Sequence, residues 1–136
     1  FNLNENNSKL IFGRDCFMIK SSDIVIVNLT DDISVGGSQE MLIAKYYSKL
    51  LIGIAPKGGK FNKEKTEFIG KKYENWIHPF VDIPCDILVE NIDETANSIK
   101  NYILNKNIKV KNINIIDDTV KYYETHHLHL DKNNHY

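Results

Sequence analysis

DIVIVNLTDDISVGGSQEMLIAK, residues 23 to 45, carries the strongest fold signal in the chain. It opens with an apolar, largely β-branched run, which is typical of a strand buried on both faces of a parallel sheet. Residues 30 to 37 hold two acids and a pair of glycines and are expected to form a loop. The next segment, SQEMLIAKYYSK, has helical propensity and contains no Pro or Gly. A strand, a loop and a helix in this order predict one unit of a parallel α/β sheet.

The flanking segments extend this alternation in both directions. LIFGRDCFMIKSSD suits a short helix before the first strand. LLIGIAP reads as a second buried strand that ends at Pro56, and CDILVE reads as a third. DETANSIKNYIL predicts a helix capped by Asp93. The expected fold class is therefore α/β, a three-layer parallel sheet of Rossmann-like or flavodoxin-like topology.

The segment between the second and third strands is less regular. KGGKFNKEKTEFIGKKYEN is long, polar and basic, which predicts a mobile loop or lid with a short helix. In the WIHPF sequence that follows, Pro79 is expected to prevent a helix from continuing. Three strands make a thin sheet, so we expect either that a first strand is missing from this chain or that a partner chain covers an edge.

Residues 1–105 are expected to form the α/β domain, and residues 106–136 a C-terminal extension. Within the extension, NKNIKVKNINII alternates loosely and could be an edge strand. DDTVKYYETHHL could be a short helix capped by Asp117 or Asp118. HLDKNNHY is expected to be a flexible, histidine-containing end.

The composition limits the classes of function. The chain has 136 residues, of which 42% are hydrophobic and 26% charged, as in an ordinary globular domain. Its formal net charge of −1 provides no global field for a nucleic-acid polymer or a membrane surface, and neither partner is expected. Cys16 and Cys85 form no CxxC motif, which favours a reduced, cytoplasmic compartment. The thin sheet favours a homo-oligomer.

Glu40 raises the main question about function, because it lies just where a strand gives way to a helix. If Gly37 is the N-cap, Glu40 falls at the third helical position and would simply cap its own helix. Alternatively, Glu40 faces a pocket at the end of the strand, where the positive end of the helix keeps its carboxylate ionised. Such a group, with a second carboxyl, suits glycosyl transfer through an oxocarbenium-like state. Asp15 could be that second carboxyl, or it could be a solvated surface acid.

The segments DCFMIKSSDIVIVNL and SVGGSQEMLIAK resemble the nucleoside 2-deoxyribosyltransferase family, which includes the related deoxynucleoside 5′-monophosphate N-glycosidases. That family shows an Asp, a second Asp before an apolar strand, a Gly-containing loop, a Glu, and a small residue four positions later. The matching residues are Asp15, Asp23, Gly36, Glu40 and Ala44. KLLIGIAP also matches the next strand of the family. The resemblance covers roughly residues 10 to 60, and CDILVENIDE more loosely.

The resemblance implies roles for several residues. Glu40 matches the catalytic nucleophile, which attacks the anomeric carbon of a deoxynucleoside and holds the sugar covalently. Asp15 matches the acid that positions or protonates the departing base. A second base or water then takes the sugar, with overall retention of configuration. Neither reaction needs a metal or an organic cofactor. The substrate-binding residues are expected to be Ser34, Gly36, Gly37, Ser38 and Asn28.

Three departures from the family pattern bear on this assignment. The family begins with a strand and a Gly-containing loop, and nothing in this chain matches them. Deoxyribosyltransferases often carry an acid six positions before the nucleophile, where this chain has Ser34. The monophosphate N-glycosidases have a Ser there that contacts the 5′-phosphate, so Ser34 favours a phosphorylated substrate. No C-terminal motif matches the family segment that reaches into a neighbouring subunit.

Two further sets of residues are pocket candidates. Lys57 and Lys60, in PKGGK, could cradle a phosphate, although a solvated basic loop fits as well and the Walker pattern is not satisfied. Trp76 could stack on a base and His78 could move a proton, although a His between aromatic residues is more often a packed side chain. The tail histidines His126, His127 and His129 lack metal-ligand spacing with Cys or acids, and no metal site is expected.

The competing class is a nucleotide-binding or regulatory module that keeps the fold without turnover. Catalysis predicts that the carboxyls of Glu40 and Asp15 line one cleft and that Glu40 does not cap its helix. A binding role is favoured if Glu40 only caps and Asp15 points to solvent. A more distant alternative, a phosphate-binding regulator, predicts that Lys57 and Lys60 converge on one anion.

Overall fold

The computed structural model describes residues 6–105 and 107–131, which form an α/β structure around a three-stranded parallel sheet. The elements in chain order are α1 (Ser8–Ser21), β1 (Ile24–Asn28), α2 (Val35–Tyr46), β2 (Leu50–Ile54), β3 (Asn62–Phe68), β4 (Lys71–Ile77), α3 (Pro79–Asp82), β5 (Ile87–Val89), α4 (Ile92–Asn105), α5 (Ile115–His126) and α6 (Leu128–Asp131). The sheet order is β1-β2-β5, with both pairs parallel. The predicted α/β class and its three parallel strands are confirmed.

The central strand, β2, is buried on both faces. Leu51 packs on one face in a core that includes residues of α1 and α2. Leu50 and Ile52 face the other side, where Ile99 and Tyr102 of α4 pack against them. Successive side chains of a strand point to opposite faces, so this alternation places helices on both sides of the sheet. None of the helices in the described ranges has the length and apolar character needed to cross a membrane.

β1 differs from its prediction, because it is not buried on both faces. Ile26 is 48% exposed, and among the described residues β1 pairs with β2 alone. α4 packs mainly on β5 and β2 rather than over β1, so within the described part of the chain the Ile26 side chain stays half exposed. The apolar run correctly predicted a strand, but it did not show that the strand lies at an edge.

Residues 62–77 form a β-hairpin instead of the expected mobile loop with a short helix. β3 and β4 pair antiparallel from Asn62↔Ile77 to Phe68↔Lys71. Ile69 and Gly70 join them with φ angles of 50° and 72°. Two successive positive φ values make the tight turn whose twist suits a hairpin. The usual Asn-Gly or Asp-Gly signal is absent here, because an isoleucine occupies the first turn position.

As expected, no helix continues through Pro79: β4 ends at Ile77, and Pro79 begins a new helix, α3. His78 is the N-cap, and its Nδ1 accepts a hydrogen bond from the Phe80 N–H at 3.2 Å. Proline suits the first position of a helix, because its fixed φ matches the helix and its missing N–H needs no partner there.

The predicted caps of the later helices are wrong by a few residues. Asn91 caps α4, with its Oδ1 accepting from the Glu94 N–H at 2.9 Å, while Asp93 lies in the first turn. Asn114 precedes α5, and both Asp117 and Asp118 lie in its first turn. The acids stabilise the positive ends of these helices without being their caps.

Residues 107–114 do not form the edge strand that their alternation suggested. Ile108 and Val110 instead pack against the core on the α4 side of the sheet. Residues 128–131 form α6, and the remaining part of the expected flexible end, residues 132–136, lies outside the described residues.

Gly53 is needed where β2 passes closest to its neighbours. A Cβ at this position would lie 2.9 Å from Cys85 Sγ and 2.9 Å from Leu88 Cδ2. We expect Gly53→Ala to lower the free energy of unfolding by about 1–3 kcal/mol through overpacking, as measured by urea denaturation. Gly13→Ala is the matched control: it lies in α1 with nothing within 4 Å of the added Cβ, and it should raise stability by about 0.5–1 kcal/mol. Equal effects at the two positions would contradict this packing.

Candidate functional site

Asp15 and Glu40 line the same cleft, which lies between α1 and α2 and has a volume of about 260 Å³. Asp15 is in the middle of α1, and Glu40 is in the second turn of α2. The other lining residues are Ser8, Ile11, Phe12, Cys16, Gly36, Gln39 and Ile43. Two carboxyl groups therefore share a small cleft whose other walls are largely apolar.

Ser34, and not Gly37, is the N-cap of α2. The Ser34 Oγ accepts a hydrogen bond from the Gly37 N–H at 3.0 Å. This places Gly37 at the third helical position and Glu40 three residues further on, beyond the first turn. Glu40 therefore does not occupy the capping position that a Gly37 N-cap would give it. The reason is that a serine side chain can accept the exposed N–H, which glycine cannot do.

The two glycines of α2 have different surroundings. A Cβ on Gly37 would lie 3.0 Å from Ile33 Cγ1 and 3.2 Å from Ser34 Oγ, so a side chain would crowd the cap. Gly36 lines the cleft, and its Cβ position would be 3.8 Å from Glu40 Oε1 and 4.0 Å from Ser34 Oγ. The missing side chain of Gly36 thus leaves space between the Glu40 carboxylate and the Ser34 hydroxyl. The nearby helix N-terminus favours negative charge in that space.

Asp15 is reachable from solvent, with its side chain 47% exposed. Arg14 Nε lies 3.6 Å from Asp15 Oδ1. Ile11 and Phe12, one turn earlier in α1, line the same cleft. A ligand in this cleft would therefore meet apolar surface beside Asp15 and a half-buried carboxylate at Glu40.

Asn28 and Ser38 lie away from the Glu40 cleft. Asn28 Oδ1 accepts from the Thr30 N–H at 3.0 Å and from Thr30 Oγ1 at 2.5 Å. Asn28 lines a separate crevice of about 470 Å³ at the carboxyl ends of the strands, together with Glu90 and Asp93. The Ser38 hydroxyl donates to the Val35 carbonyl at 2.9 Å and lines a different cavity of about 300 Å³.

His78 lines the same cavity as Ser38, and its ring lies 5.9 Å from that of Phe61. Trp76 lies on the hairpin, with its ring centroid 5.6 Å from that of His78. These two residues are near each other, but neither lines the cleft that holds Asp15 and Glu40.

Lys57 and Lys60 have different neighbours. Lys60 Nζ lies 2.9 Å from Asp32 Oδ1, and this hydrogen bond holds the pKa of Asp32 below its usual value. Lys57 lines a fourth cavity beside Glu90, whose Oε1 accepts from the Lys57 N–H at 3.0 Å. The N–H groups of residues 58 and 59 donate within the loop, to the carbonyls of residues 62 and 56. The two lysines thus make separate local contacts rather than one phosphate cradle.

A buried ion pair fixes α2 behind Glu40, and sequence reasoning missed it. Lys45, five residues after Glu40, bonds through Nζ to Asp86 Oδ2, and both side chains are 0% exposed. Asp86 also accepts from the backbone N–H of Leu51 at 2.8 Å and of Lys111 at 2.7 Å. Burial is the main cause that lowers the pKa of Lys45. The sequence does contain a signal for this pair: Lys45 lies four residues after Met41 and next to Ala44, on the face of α2 that is buried.

Lys111 ties the C-terminal segment to this pair. Its carbonyl accepts from Lys45 Nζ at 3.1 Å. Its own ammonium donates to the carbonyls of Ile83 and Cys85, each at 2.8 Å. Residue 111 therefore contacts both members of the ion pair and the end of α3.

The tail histidines make local contacts. The His126 ring stacks on Tyr122 with centroids 4.0 Å apart, and His127 Nε2 lies 3.5 Å from Asp131 Oδ1. Across residues 6–105 and 107–131, no group of three or more His, Cys, Asp or Glu side chains is placed to hold a metal ion.

The two cysteines differ in their access to solvent, and this difference can be tested. Cys85 is 3% exposed, and burial raises the pKa of its thiol to about 12. At pH 8 its thiolate fraction is therefore about one in ten thousand, whereas Cys16 is partly exposed and lines the cleft. We expect iodoacetamide to modify Cys16 but not Cys85 in the folded protein, and both in denaturant, as followed by peptide mass spectrometry. Equal rates in the folded protein would contradict the burial of Cys85.

No family model, curated protein or solved structure matches this chain. The resemblance to nucleoside 2-deoxyribosyltransferases therefore rests on the residues quoted from the sequence.

Proposed function

We propose that this protein is a nucleoside 2-deoxyribosyltransferase-like enzyme with a Rossmann-like fold. It cleaves the N-glycosidic bond of a deoxynucleoside or its 5′-monophosphate through a covalent glycosyl intermediate on Glu40. The observation that carries the proposal is that Glu40 and Asp15 line one cleft while Ser34 caps the helix. Glu40 could cap its own helix only if Gly37 were the N-cap, and Ser34 holds that position instead.

In the first half-reaction, a Glu40 oxygen attacks the anomeric carbon while the bond from that carbon to the base nitrogen breaks. The departing base takes the electron pair of the broken bond, and Asp15, in its protonated form, supplies the proton to the base. The apolar residues Phe12 and Ile11 offer a surface against which a base can pack.

In the second half-reaction, water or a second base attacks the same carbon and releases Glu40 as a carboxylate. Asp15, now ionised, takes the proton from the attacking group. Two inversions at one carbon give overall retention. The reaction uses only these carboxyl groups and needs no cofactor.

Ser34 supports a phosphorylated substrate. Its Oγ already accepts from the Gly37 N–H, which leaves the hydroxyl proton available to donate to a phosphate oxygen. Gly36 leaves open space between Ser34 and Glu40, so a group bound there can approach the helix N-terminus closely. A carboxylate at residue 34 would repel a phosphate in the same place.

A nucleotide-binding module without turnover is the second candidate, and the crevice at the strand ends favours it. That crevice, of about 470 Å³, is larger than the Glu40 cleft and is lined by Asn28, Thr30 and Asp93. Open α/β sheets commonly bind their ligands outside the carboxyl ends of the strands. If this candidate is right, binding depends on residue 28 and not on residue 40.

The test is an incubation of the protein with a panel of deoxynucleosides and their 5′-monophosphates, with and without adenine as acceptor. Chromatography separates the products. Free base released from a monophosphate without adenine identifies an N-glycosidase, and base exchange only with adenine identifies a transferase. If a folded preparation binds nucleotides but releases no base from any of them, the binding module replaces the enzyme.

A further inference from the structure

We propose that the β3–β4 hairpin is a binding surface for single-stranded nucleic acid. The surface is an aromatic ladder, which we define as Tyr73, Phe68, Trp76, His78 and Phe80, flanked by the lysines of the hairpin. This inference does not rest on the proposed enzymatic function, because no residue of the ladder lines the Glu40 cleft.

The rings of the ladder form an unbroken series of contacts. The centroid distances are 6.3 Å from Tyr73 to Phe68, 5.1 Å from Phe68 to Trp76, 5.6 Å from Trp76 to His78 and 6.1 Å from His78 to Phe80. Phe68 is 46% exposed, Tyr73 39% and Phe80 81%. The rings are tilted by 50–65° relative to their neighbours, and the exposed parts of Phe68, Tyr73 and Phe80 are the places where a base could stack.

An unusual backbone conformation brings Trp76 into the ladder. Tyr73 and Trp76 are three residues apart, and in a regular strand they would point to opposite faces. Asn75 has a φ of 50°, which interrupts the alternation, and the Trp76 ring consequently contacts Phe68 on the same side as Tyr73.

The hairpin also carries a small excess of positive charge. Its residues 62–77 contain four lysines and three glutamates, a net charge of +1 in a chain whose total is −1. Lys57 and Lys60 precede the hairpin, and Lys60 is paired with Asp32. Lys71 Nζ lies 5.9 Å from the centroid of the Tyr73 ring, which places one of the hairpin charges beside the ladder. The expectation that nucleic acid is not a partner rested on the net charge of the whole chain, and the charge of the hairpin has the opposite sign.

Aromatic rings flanked by lysines are the combination that single-stranded nucleic acid requires. Bases stack on the rings whatever their identity, and the ammonium groups follow the phosphates. A duplex has no unstacked bases to offer to the ladder. A membrane would use only the apolar tip, Phe68 and the fully exposed Ile69, and would leave Trp76 and His78 without a role.

The test uses Trp76, which is the only tryptophan of the chain. A single-stranded oligothymidylate of about twelve nucleotides is expected to quench its fluorescence, and a duplex of the same length is not. Tyr73→Ala should weaken binding about tenfold, the loss of one stacked base. Tyr73→Leu keeps the side chain apolar and should weaken binding similarly, which separates stacking from misfolding. Lys71→Gln should reduce the slope of log K against log salt by about 0.7.

Matched controls are available on α5, outside the hairpin. Tyr122 is 66% exposed, and Tyr122→Ala and Lys121→Gln should leave the affinity and its salt dependence unchanged. Thymidine monophosphate at the same nucleotide concentration should quench weakly, and vesicles of phosphatidylserine should not quench at all. The proposal is overturned if the oligonucleotide does not bind, if the monophosphate binds equally well, or if only the vesicles change the fluorescence.

Discussion

Glu40→Gln is expected to reduce the release of base from a deoxynucleotide by about 10⁴-fold or more, as is typical when a catalytic nucleophile is lost. The substitution keeps the size of the side chain but removes the charge and the oxygen that would attack the anomeric carbon. Because Ser34 provides the helix cap, the variant should fold as well as the unaltered protein. The measurement is the initial rate at saturating substrate, with circular dichroism to verify the fold.

The matched control is Glu124→Gln, which neutralises an exposed glutamate on α5. It should leave the rate unchanged. Wild-type protein incubated with substrate and then quenched with acid should also carry an added deoxyribosyl group on the peptide that contains Glu40. A Glu40→Gln variant that keeps more than a tenth of the rate would exclude a nucleophilic role for Glu40.

Asp15→Asn distinguishes the proposed role of Asp15 as general acid from the role of Glu40 as nucleophile. Loss of a general acid costs about 10²- to 10⁴-fold. The loss should be much smaller for a deoxyriboside whose leaving group needs no proton, whereas Glu40→Gln should affect both kinds of substrate equally. The same loss with both leaving groups would show that Asp15 acts by another route, such as its contact with Arg14.

Asp86→Asn is expected to lower the free energy of unfolding by about 3–5 kcal/mol, because it leaves the Lys45 ammonium buried without a counter-charge. This is a large part of the stability of an ordinary domain. Lys45→Met should cost less, since two backbone N–H groups continue to bond to the Asp86 carboxylate. The double variant should be more stable than Asp86→Asn alone. Urea denaturation, followed by circular dichroism, measures each of these values.

The exposed ion pair Asp32–Lys60 is the control for this experiment. Its side chains are 74% and 58% exposed, and Asp32→Asn should leave the unfolding midpoint unchanged. If Asp86→Asn is equally harmless, then the Lys45–Asp86 pair does not hold α2 in place.

The stability of the Asp86→Asn variant should also depend on pH in a defined direction. Burial lowers the pKa of Lys45 in the folded protein below its ordinary value of 10.5, and loss of the carboxylate lowers it further. A lysine whose pKa is lower in the folded state binds fewer protons there than in the unfolded state. The free energy of unfolding therefore rises as the pH increases from the lowered pKa of folded Lys45 toward its ordinary pKa of 10.5. A constant difference from the unaltered protein across this range would contradict the assignment.

The sequence was most informative where a single local pattern determines the structure. The run from Ile24 to Asn28 predicted its strand because β-branched residues prefer strands, and residues 50–54 predicted theirs as a short apolar run that ends near Pro56. The hairpin was missed because its strands are rich in lysine and glutamate and its turn begins with Ile69. Its cross-strand pairs provide the structure that the local composition did not indicate.

In the candidate site, too, the sequence predicted some features but not the contacts between residues far apart in the chain. The spacing of Asp15 and Glu40 suggested a pair, and the two side chains do line one cleft. The ion pair behind the cleft joins residues 45 and 86, which are 41 positions apart. No periodic pattern connects such residues, so only the folded chain reveals the contact. Asn28 and Ser38 were expected to bind the substrate together with Glu40, but they line two other cavities.

Within residues 6–105 and 107–131, no strand pairs with the outer edge of β1, and this edge affects how the protein behaves in concentrated solution. Natural proteins protect a sheet edge with lysine, proline or a bulge, and the five residues of this strand, IVIVN, contain neither lysine nor proline. Such an edge is a template on which strands of other molecules can add, so concentrated samples should form assemblies that dilution reverses. Lysine in place of Ile26, which is half exposed, is the substitution that natural edges suggest for keeping stored samples dispersed.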